Sequence, residues 1–371
     1  MKPTSPGLAL AIVSVLTAGC QADPHDELTA RSPAAAAVDA PDAPPTVPIR
    51  LELPSPPAAV QPGPPTPQPP KGPDFVRVFA EVSSSVVGLA AGALVDGRFQ
   101  PARTGTAIVW DHAGHIVTNA HLIGGAPRVR IRRQDGLVVR ARIVGLDAAT
   151  DLAVVHAGGL GLKPARRGDS AKVKPGQWVA AIGNPYGMSH SITVGVVSAL
   201  ARTHLPPGAP RFATFIQTDV IAKPGSSGGP LVNTQSEVIA LNTAMVGDGL
   251  TFSIPVDMVS TVVDRLVSEG QFVRGFAGLF VMRVTHLAAE ANGLERPIGA
   301  RVRAVVAGGP ADRAGVAPGD IILRFGEHEI KEAPAFSWLV AATRSGAEVS
   351  LELVREGQPV TVTLAVGTAP H

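Results

Sequence analysis

Short apolar runs separated by Gly, Asp and Pro dominate the chain between about residues 75 and 255. Each run is too short for a long helix, and many have the length and β-branched content of a strand. Many short strands with turn residues between them predict an all-β sandwich or a pair of barrels. Clear examples are TGTAIVW (104–110), HIVTNAHLI (115–123), DLAVVHA (151–157) and ITVGVVSAL (192–200).

The hydrophobic period then changes from two to that of a helix. In PVDMVSTVVDRLVSEG (255–270), valine and leucine recur at helical spacing, with Gly270 beyond the end. This pattern predicts one helix that closes the β-rich region. From about Gly275 a second unit begins, in which alternating strands flank the helical segments PADRAG (310–315) and APAFSWLVAATRSG (333–346). A compact mixed α/β module is therefore expected here.

The N-terminus reads as an export signal. Lys2 precedes a short apolar run (7–16), which is too short for an ordinary transmembrane helix, and the small residues of TAGC follow. These residues resemble a bacterial lipobox ending at Cys20, although Thr17 stands where Leu is usual. A lipidated Cys20, a plain secretory signal and an uncleaved anchor are the three alternatives. Cys20 is the chain's one cysteine, so no internal disulfide forms.

The segment 21–73 contains sixteen of the prolines and almost no apolar periodicity. Such a sequence buries too little surface to offset its ordering entropy and is expected to stay extended. At the polyproline rise of about 3.1 Å per residue, it is a tether on the order of 150 Å long. The formal net charge is only +2, and aromatics make up 4% of residues. A nucleic-acid partner is therefore not expected.

The stretch KPGSSGGPLV (223–232) has two interpretations. Composition alone suggests a flexible Ser/Gly loop. Alternatively, a Gly-x-Ser-Gly-Gly arrangement turns backbone N–H groups towards one point beside a serine hydroxyl, as acyl transfer requires. In that interpretation Ser227 is the nucleophile, and the oxyanion hole spans 225–227. Gly225 and Ser227 supply the N–H donors, with Ser226 between them.

A serine nucleophile needs a base and an orienting partner for that base. His121 in IVTNAHLI and Asp151 in DLAVV are candidates, although each also fits an ordinary structural role, as a core histidine and a turn carboxylate. His112 and His115 in HAGH suggest either a metal pair or a hairpin turn, and the turn explains them better because no third ligand is visible.

Four motifs in order carry a family resemblance: GTAIVWDHAGHIVTNAHLI, DAATDLAVVHA, IGNPYGMSHSITVGVVSAL and FIQTDVIAKPGSSGGPLVNTQSEVIALNTA. Together they resemble the HtrA/Deg family of trypsin-like serine proteases, in the chain order His, Asp, Ser of the chymotrypsin-type fold. The resemblance implies two six-stranded barrels and a triad of His121, Asp151 and Ser227. It implies no metal and no organic cofactor.

The second module resembles a PDZ domain, which binds an extended peptide C-terminus at a sheet edge. RGFAGL (274–279) fits the carboxylate-binding loop, so the resemblance assigns peptide binding to Phe276, Ala277, Gly278 and Leu279. On the later helix, the apolar residues Phe336, Leu339 and Val340 either line the groove or belong to the core. The implied boundaries are a signal peptide (1–20), a linker (21–73), a protease domain (74–270) and a PDZ domain (275–367).

Substrate selection is expected to involve Ile221, Asn242 and Thr243. Ile221 stands six residues before the nucleophile, the position that floors the specificity pocket in trypsin-like folds. An isoleucine there disfavours Lys or Arg and favours small or medium apolar side chains, because a buried charge without a partner is costly.

The sequence as a whole predicts an endopeptidase of the bacterial cell envelope, in the periplasm and anchored through lipidated Cys20. Its expected substrates are unfolded or regulatory proteins, and its PDZ domain would bind peptide C-termini. The resemblance also implies a homotrimer, in which Phe75 and Phe79 pack between subunits, although two aromatics at that spacing also fit a core. The alternative function is a largely resting, chaperone-like peptide sensor with conditional proteolysis.

Overall fold

The computed structural model describes residues 72–159, 161–184, 190–202, 214–246 and 249–369. The signal-like segment with Cys20, and the linker as far as residue 71, lie outside these ranges. Within them, no helix combines the length and the apolar character that a membrane crossing requires.

The first barrel closes through six antiparallel strands in the order β1-β2-β3-β6-β5-β4. Its interior side chains alternate along the strands, as Val87, Leu89 and Ala91 do on β1. Closure leaves no exposed strand edge in this part of the molecule. The strands are β1 (Val86–Val95), β2 (Arg98–Val109), β3 (His115–Thr118), β4 (Arg128–Arg132), β5 (Val138–Asp147) and β6 (Leu152–His156).

The second barrel closes in the order β10-β11-β12-β9-β8-β7. Its interior includes Val179, Ile216 and Leu231, all almost fully buried. The predicted all-β architecture is thus confirmed as two barrels. The strands are β7 (Trp178–Gly183), β8 (Ser191–Arg202), β9 (Phe215–Thr218), β10 (Pro230–Asn233), β11 (Val238–Val246) and β12 (Leu250–Pro255).

In the described part of the chain, three α-helices accompany the two barrels. Helix α1 (Phe75–Val82) precedes the first barrel, α2 (Ala120–Ile123) follows β3, and α3 (Val256–Glu269) follows the second barrel. The apolar face predicted for α3 is buried, and Gly270 ends the helix at φ 75°, a left-handed conformation that suits glycine. Buried residues of α1, α3 and both barrels form one continuous apolar cluster.

The C-terminal module begins at Gly275 and contains a five-strand path β14-β15-β16-β18-β19, with β17 paired to β16 and a separate β13–β20 pair. The two predicted helical segments are α5 and α6. Its elements are β13 (Gly275–Phe276), β14 (Leu279–Arg283), α4 (His286–Ala291), β15 (Ala300–Val305), α5 (Pro310–Arg313), β16 (Ile321–Phe325), β17 (His328–Glu329), α6 (Ala333–Ala342), β18 (Glu348–Arg355), β19 (Gln358–Ala365) and β20 (Gly367–Thr368).

A buried ion pair connects this module to the first barrel. Both guanidinium Nη atoms of Arg274 donate to the carboxylate of Asp147, at 2.9 and 2.6 Å. The same carboxylate accepts hydrogen bonds from the backbone and hydroxyl of Thr150. Asp147 begins the turn that leads to Asp151, and its carboxylate is therefore held both by Arg274 and by Thr150 of the turn itself.

Candidate active site

His121 and Asp151 meet at one end of the first barrel. Nδ1 of His121 lies 2.8 Å from Oδ2 of Asp151, and the backbone N–H of His121 donates to Oδ1 at 2.8 Å. Because a carboxylate only accepts hydrogen bonds, Nδ1 carries the ring proton and Nε2 is left as the basic nitrogen. The imidazole is 47% exposed and the carboxylate 11%, so the base faces solvent while its partner is sheltered.

Local backbone geometry brings these two side chains together. His121 lies on the short helix α2 immediately after β3, and not on the end of a strand as the sequence pattern indicated. The amide of Asn119 and the backbone N–H of Ala120 both donate to the carbonyl of Asp151 at 3.1 Å. Asp151 itself has φ 59°, a strained conformation for a residue with a side chain, and these contacts hold it there. Nothing in the sequence pattern indicates the role of Asn119.

Ser227 lies on the loop between β9 and β10 of the second barrel. This loop needs its glycines: Gly228 has φ 82°, and a Cβ on it would lie 2.1 Å from the backbone oxygen of Thr106. A Cβ on Gly229 would lie 2.4 Å from the carbonyl of Ile182. The Ser/Gly stretch is thus tightly packed at these two glycines.

Thr243 on β11 places the serine beside the other two groups. Its hydroxyl donates to Oδ2 of Asp151 at 2.5 Å, and its carbonyl accepts from the hydroxyl of Ser227 at 3.4 Å. One residue therefore contacts both the carboxylate and the serine. The hydrogen bonds of the described residues do not include one between Ser227 and His121.

The backbone beside Ser227 offers two N–H groups. Within the described part of the chain, the N–H groups of Gly225 and Ser227 have no acceptor. The N–H of Ser226 is already used, since it donates to the carbonyl of Lys223 at 2.9 Å. Of the three residues expected at the oxyanion hole, Ser226 therefore contributes no N–H donor.

An open cavity of about 130 Å³ adjoins Ser227 and is lined in part by Asn242 and Thr243. Ile221, which is expected to floor the specificity pocket, is not among the residues that line this cavity. Val220 is fully buried, and Ile221, the next residue along the chain, is 52% exposed, as alternation along an extended segment requires. The remaining lining residues are Ala222, Lys223, Pro224, Ala244 and Met245.

In the C-terminal module, the expected carboxylate-binding loop joins β13 to β14. Gly278 has φ 72°, and the carbonyl oxygens of Ala277 and Gly278 accept hydrogen bonds from Ala311 and Val306. These contacts fix the loop. Phe276 pairs with β20, and Leu279 begins β14.

On helix α6, Phe336 and Val340 are core residues, while Leu339 is partly buried. The sequence left open whether these residues line the peptide groove or belong to the core. Phe336 and Val340 belong to the core. No group of three or more metal-ligating side chains occurs among the described residues. His112 belongs to the tight turn between β2 and β3, and the adjacent His115 bonds Asp111 at 2.6 Å.

Comparison with known proteins defines the class of this fold. The trypsin-like peptidase domain family matches residues 105–241, and the PDZ domain family matches residues 277–366. Among solved structures, the HtrA-type protease AlgW with a tripeptide is 32% identical with a TM-score of 0.69. The match covers 81% of this chain and 98% of that one. A serine endoprotease from Yersinia pestis is 28% identical, covers 80% and 98% respectively, and has a TM-score of 0.59.

The chain thus has a trypsin-like peptidase domain followed by a PDZ domain, and it belongs to the HtrA-type protease family. A curated relative named a probable periplasmic serine endoprotease DegP-like, from Halomonas elongata, is 36% identical over 302 residues. That match covers 80% of this chain but only 63% of the relative.

Proposed function

We propose that this protein is a serine endopeptidase in which Ser227, His121 and Asp151 act as the catalytic triad. The observation that carries the proposal is the pair of contacts made by Thr243, to the Asp151 carboxylate and to the Ser227 hydroxyl. Together with the 2.8 Å bond from His121 to Asp151, these contacts link all three groups through hydrogen bonds.

The proposed mechanism follows from the donors and acceptors. Nε2 of His121 takes the hydroxyl proton as Ser227 attacks the scissile carbonyl, and later gives it to the leaving amine. Asp151 holds the tautomer and stabilises the imidazolium. The unpartnered N–H groups of Gly225 and Ser227 would stabilise the oxyanion of the tetrahedral intermediate. Water then repeats the sequence on the acyl-enzyme.

One observation favours the second candidate function, a resting peptide sensor with conditional proteolysis. The hydroxyl of Ser227 points to the carbonyl of Thr243 and not to His121. For attack, the hydroxyl must rotate away from Thr243 towards Nε2. A rotation of this kind is a small change that peptide binding elsewhere could favour.

Casein degradation with and without an added hydrophobic C-terminal peptide separates the two candidates. A protease that is always active cleaves casein equally in both conditions, whereas a sensor cleaves it only when the peptide is present. Ser227→Ala is the control, and we expect it to lower kcat by roughly 10⁶-fold while the protein stays folded. Undiminished cleavage by this variant would refute the proposed nucleophile.

The cavity beside Ser227 supports cleavage after small or medium apolar residues. Ala222, Pro224, Ala244 and Met245 supply its apolar wall, and among the described residues that line it there is no carboxylate to pair with Lys or Arg. The proposal therefore keeps the expected preference but rests it on these residues instead of Ile221. A peptide library tests it: cleavage after Val, Ala, Leu or Ile supports the proposal, and a dominant preference for Arg contradicts it.

The cellular setting is also part of the proposal. We place the protein in the bacterial periplasm, because its curated relatives are named periplasmic and its N-terminus reads as an export signal. Lipid anchoring at Cys20 is tested by labelled fatty acid incorporation into the wild type and into Cys20→Ser. Unfolded or regulatory proteins are the proposed substrates, and peptide C-termini the proposed PDZ ligands.

A homotrimer through α1 completes the proposal. Phe75 and Phe79 pack against the apolar cluster of their own chain, so Val76, at 83% exposure, is the apolar side chain that α1 leaves most available to a neighbouring subunit. Sedimentation of the wild type and of Val76→Asp tests this arrangement. A trimer that the substitution leaves intact would exclude Val76 from the interface.

A further inference from the structure

Thr106, on β2 of the first barrel, is fully buried and bonds the nucleophile loop of the second barrel. Its hydroxyl lies 2.6 Å from the carbonyl oxygen of Gly225, and its backbone N–H donates to the carbonyl of Ser227 at 2.9 Å. Two peptide groups of this loop are therefore held by one residue that belongs to the other barrel.

The direction of the hydroxyl bond is settled by its second partner. The backbone N–H of Asn184 donates to Oγ1 of Thr106 at 2.8 Å. Because a carbonyl oxygen only accepts, the hydroxyl proton must point at Gly225. Both hydrogen-bonding capacities of this side chain are thus used by backbone groups.

These bonds restrict the orientation of the Ser227 N–H, whose own peptide group is also held by the bond from the Gly229 N–H to the Ser226 carbonyl at 3.0 Å. Thr106 holds the peptide group between Gly225 and Ser226, and also the one that follows Ser227. The peptide group that carries the N–H of Ser227 lies between those two, so its rotation is restricted from both sides. The N–H groups of Gly225 and Ser227 are the donors proposed for the oxyanion, and their aim depends on this loop geometry.

Thr106 also connects the loop to the strand that leads to the histidine. The hydroxyl of Thr118, the last residue of β3, donates to the carbonyl of Thr106 at 2.7 Å. His121 follows three positions later on α2. Gly228 of the loop can lie this close to Thr106 and Thr118 because it has no side chain. A Cβ at this position would lie 2.1 Å from the Thr106 carbonyl oxygen and 2.3 Å from the Thr118 hydroxyl.

We propose that Thr106 is a positioning residue, which aligns the Ser227 loop and its oxyanion donors with the strand that carries His121. This role rests on the proposed function, because it matters for catalysis only if Ser227 is the nucleophile. It goes beyond the triad, since Thr106 acts through the loop and does not contact the reacting atoms.

The test compares Thr106→Ser with Thr106→Ala, two variants that differ by one oxygen atom. Serine keeps the hydroxyl, so we expect its kcat to stay within about threefold of the wild type. Alanine leaves the Gly225 carbonyl and the Asn184 N–H without their partner, and a small displacement of the loop should lower kcat by about 10²-fold with KM nearly unchanged. The near-isosteric Thr106→Val should behave like alanine.

Thr218→Val is the matched control, because Thr218 is equally buried and its hydroxyl has no partner among the described residues. It should leave kcat unchanged. Circular dichroism measures the folded fraction of each variant and corrects its rate, so a variant that is merely less stable does not mimic a misplaced loop. The Ser and Ala pair decides the matter even if Thr106→Val fails to fold.

Two contrary results are distinguishable. Equal kcat for Thr106→Ser and Thr106→Ala, with an active wild type, removes the role of Thr106 and leaves the triad intact. A wild type that neither cleaves casein with the activating peptide nor reacts with a fluorophosphonate contradicts the proposed function itself. A rise in KM alone for Thr106→Ala, with kcat unchanged, would also overturn the positioning role.

Discussion

The two barrels hold their proposed catalytic groups in different ways. In the first barrel, Asp151 accepts hydrogen bonds from both the backbone and the ring of His121, and its carbonyl is bonded by Asn119. In the second barrel, Ser227 lies on a glycine-rich loop, and its hydroxyl bonds the carbonyl of Thr243 at the long distance of 3.4 Å.

This difference indicates which half of the site is fixed before substrate arrives. The histidine and the carboxylate are joined by contacts within the first barrel, and Thr243 of the second barrel adds one more bond to Asp151. The serine loop, in contrast, depends on Thr106 and on close packing of Gly228 against the first barrel. A change of activity state is therefore expected to come from the serine loop, and the acid–base pair should stay the same in both states.

The largest loss of kcat is expected from disrupting the hydrogen-bonded pair of His121 and Asp151. Asp151→Asn keeps the size of the side chain but replaces the oxygen that orients the ring with a group that can donate, which favours the wrong tautomer of His121. We expect kcat to fall by about 10⁴-fold, with folding preserved. Steady-state peptide hydrolysis measures this, and a loss below tenfold would show that Asp151 does not orient the base.

An intermediate effect is expected from crowding the serine loop. In Gly228→Ala the new methyl group would overlap the Thr106 carbonyl, so the loop must shift, and kcat should fall by about 10²-fold. Gly136→Ala is the control, because Gly136 has a similar φ of 88° with open space around its missing Cβ. Equal kcat values for both variants would show that the close contact between Gly228 and Thr106 does not position the loop.

The smallest effect is expected on the pH dependence of stability, through His190 in the second barrel and Asp111 in the first. Burial lowers the pKa of His190, whose Nδ1 has no partner among the described residues. Below about pH 6.5 this histidine is therefore protonated in the unfolded chain but still neutral in the folded chain. The free energy of unfolding falls as the pH drops through this range. In the first barrel, burial acts to raise the pKa of Asp111, but hydrogen bonds from His115 outweigh it and lower the pKa.

The pH dependence separates these two sites. Asp111 contributes stability above its ordinary pKa of 3.8 that is lost as pH falls further, so it acts in a more acidic range than His190. His190→Gln should flatten the decline of the melting temperature between pH 7 and 5. An unchanged slope in that variant would show that His190 does not control stability there.

Much of the fold was predictable because the hydrophobic period is a local property. The β-rich body and the helix α3 follow from strand-length runs and from valines at helical spacing. The order of His121, Asp151 and Ser227 along the chain was equally visible. The direction in which a loop side chain points is not local, and Ile221 shows this, since burial of the adjacent Val220 turns it outwards.

The positioning roles of Thr106 and Asn119 could not be predicted from the sequence for a related reason. Each acts through hydrogen bonds to backbone atoms of residues 32 or more positions away along the chain. Backbone atoms carry no side-chain signature, so nothing in the sequence marks their partners. The Asn119 contact becomes visible only when the first barrel is folded, and the Thr106 contact only when the two barrels are placed together.

The most direct test of the central claim is to identify the residue that a fluorophosphonate modifies. The wild type is labelled in the presence of the hydrophobic C-terminal peptide, and the adduct is located by mass spectrometry. Convergence of the three groups predicts a single adduct on Ser227, and strongly slowed labelling in His121→Ala. An adduct on another residue, or labelling that proceeds equally fast without the imidazole, would contradict the account.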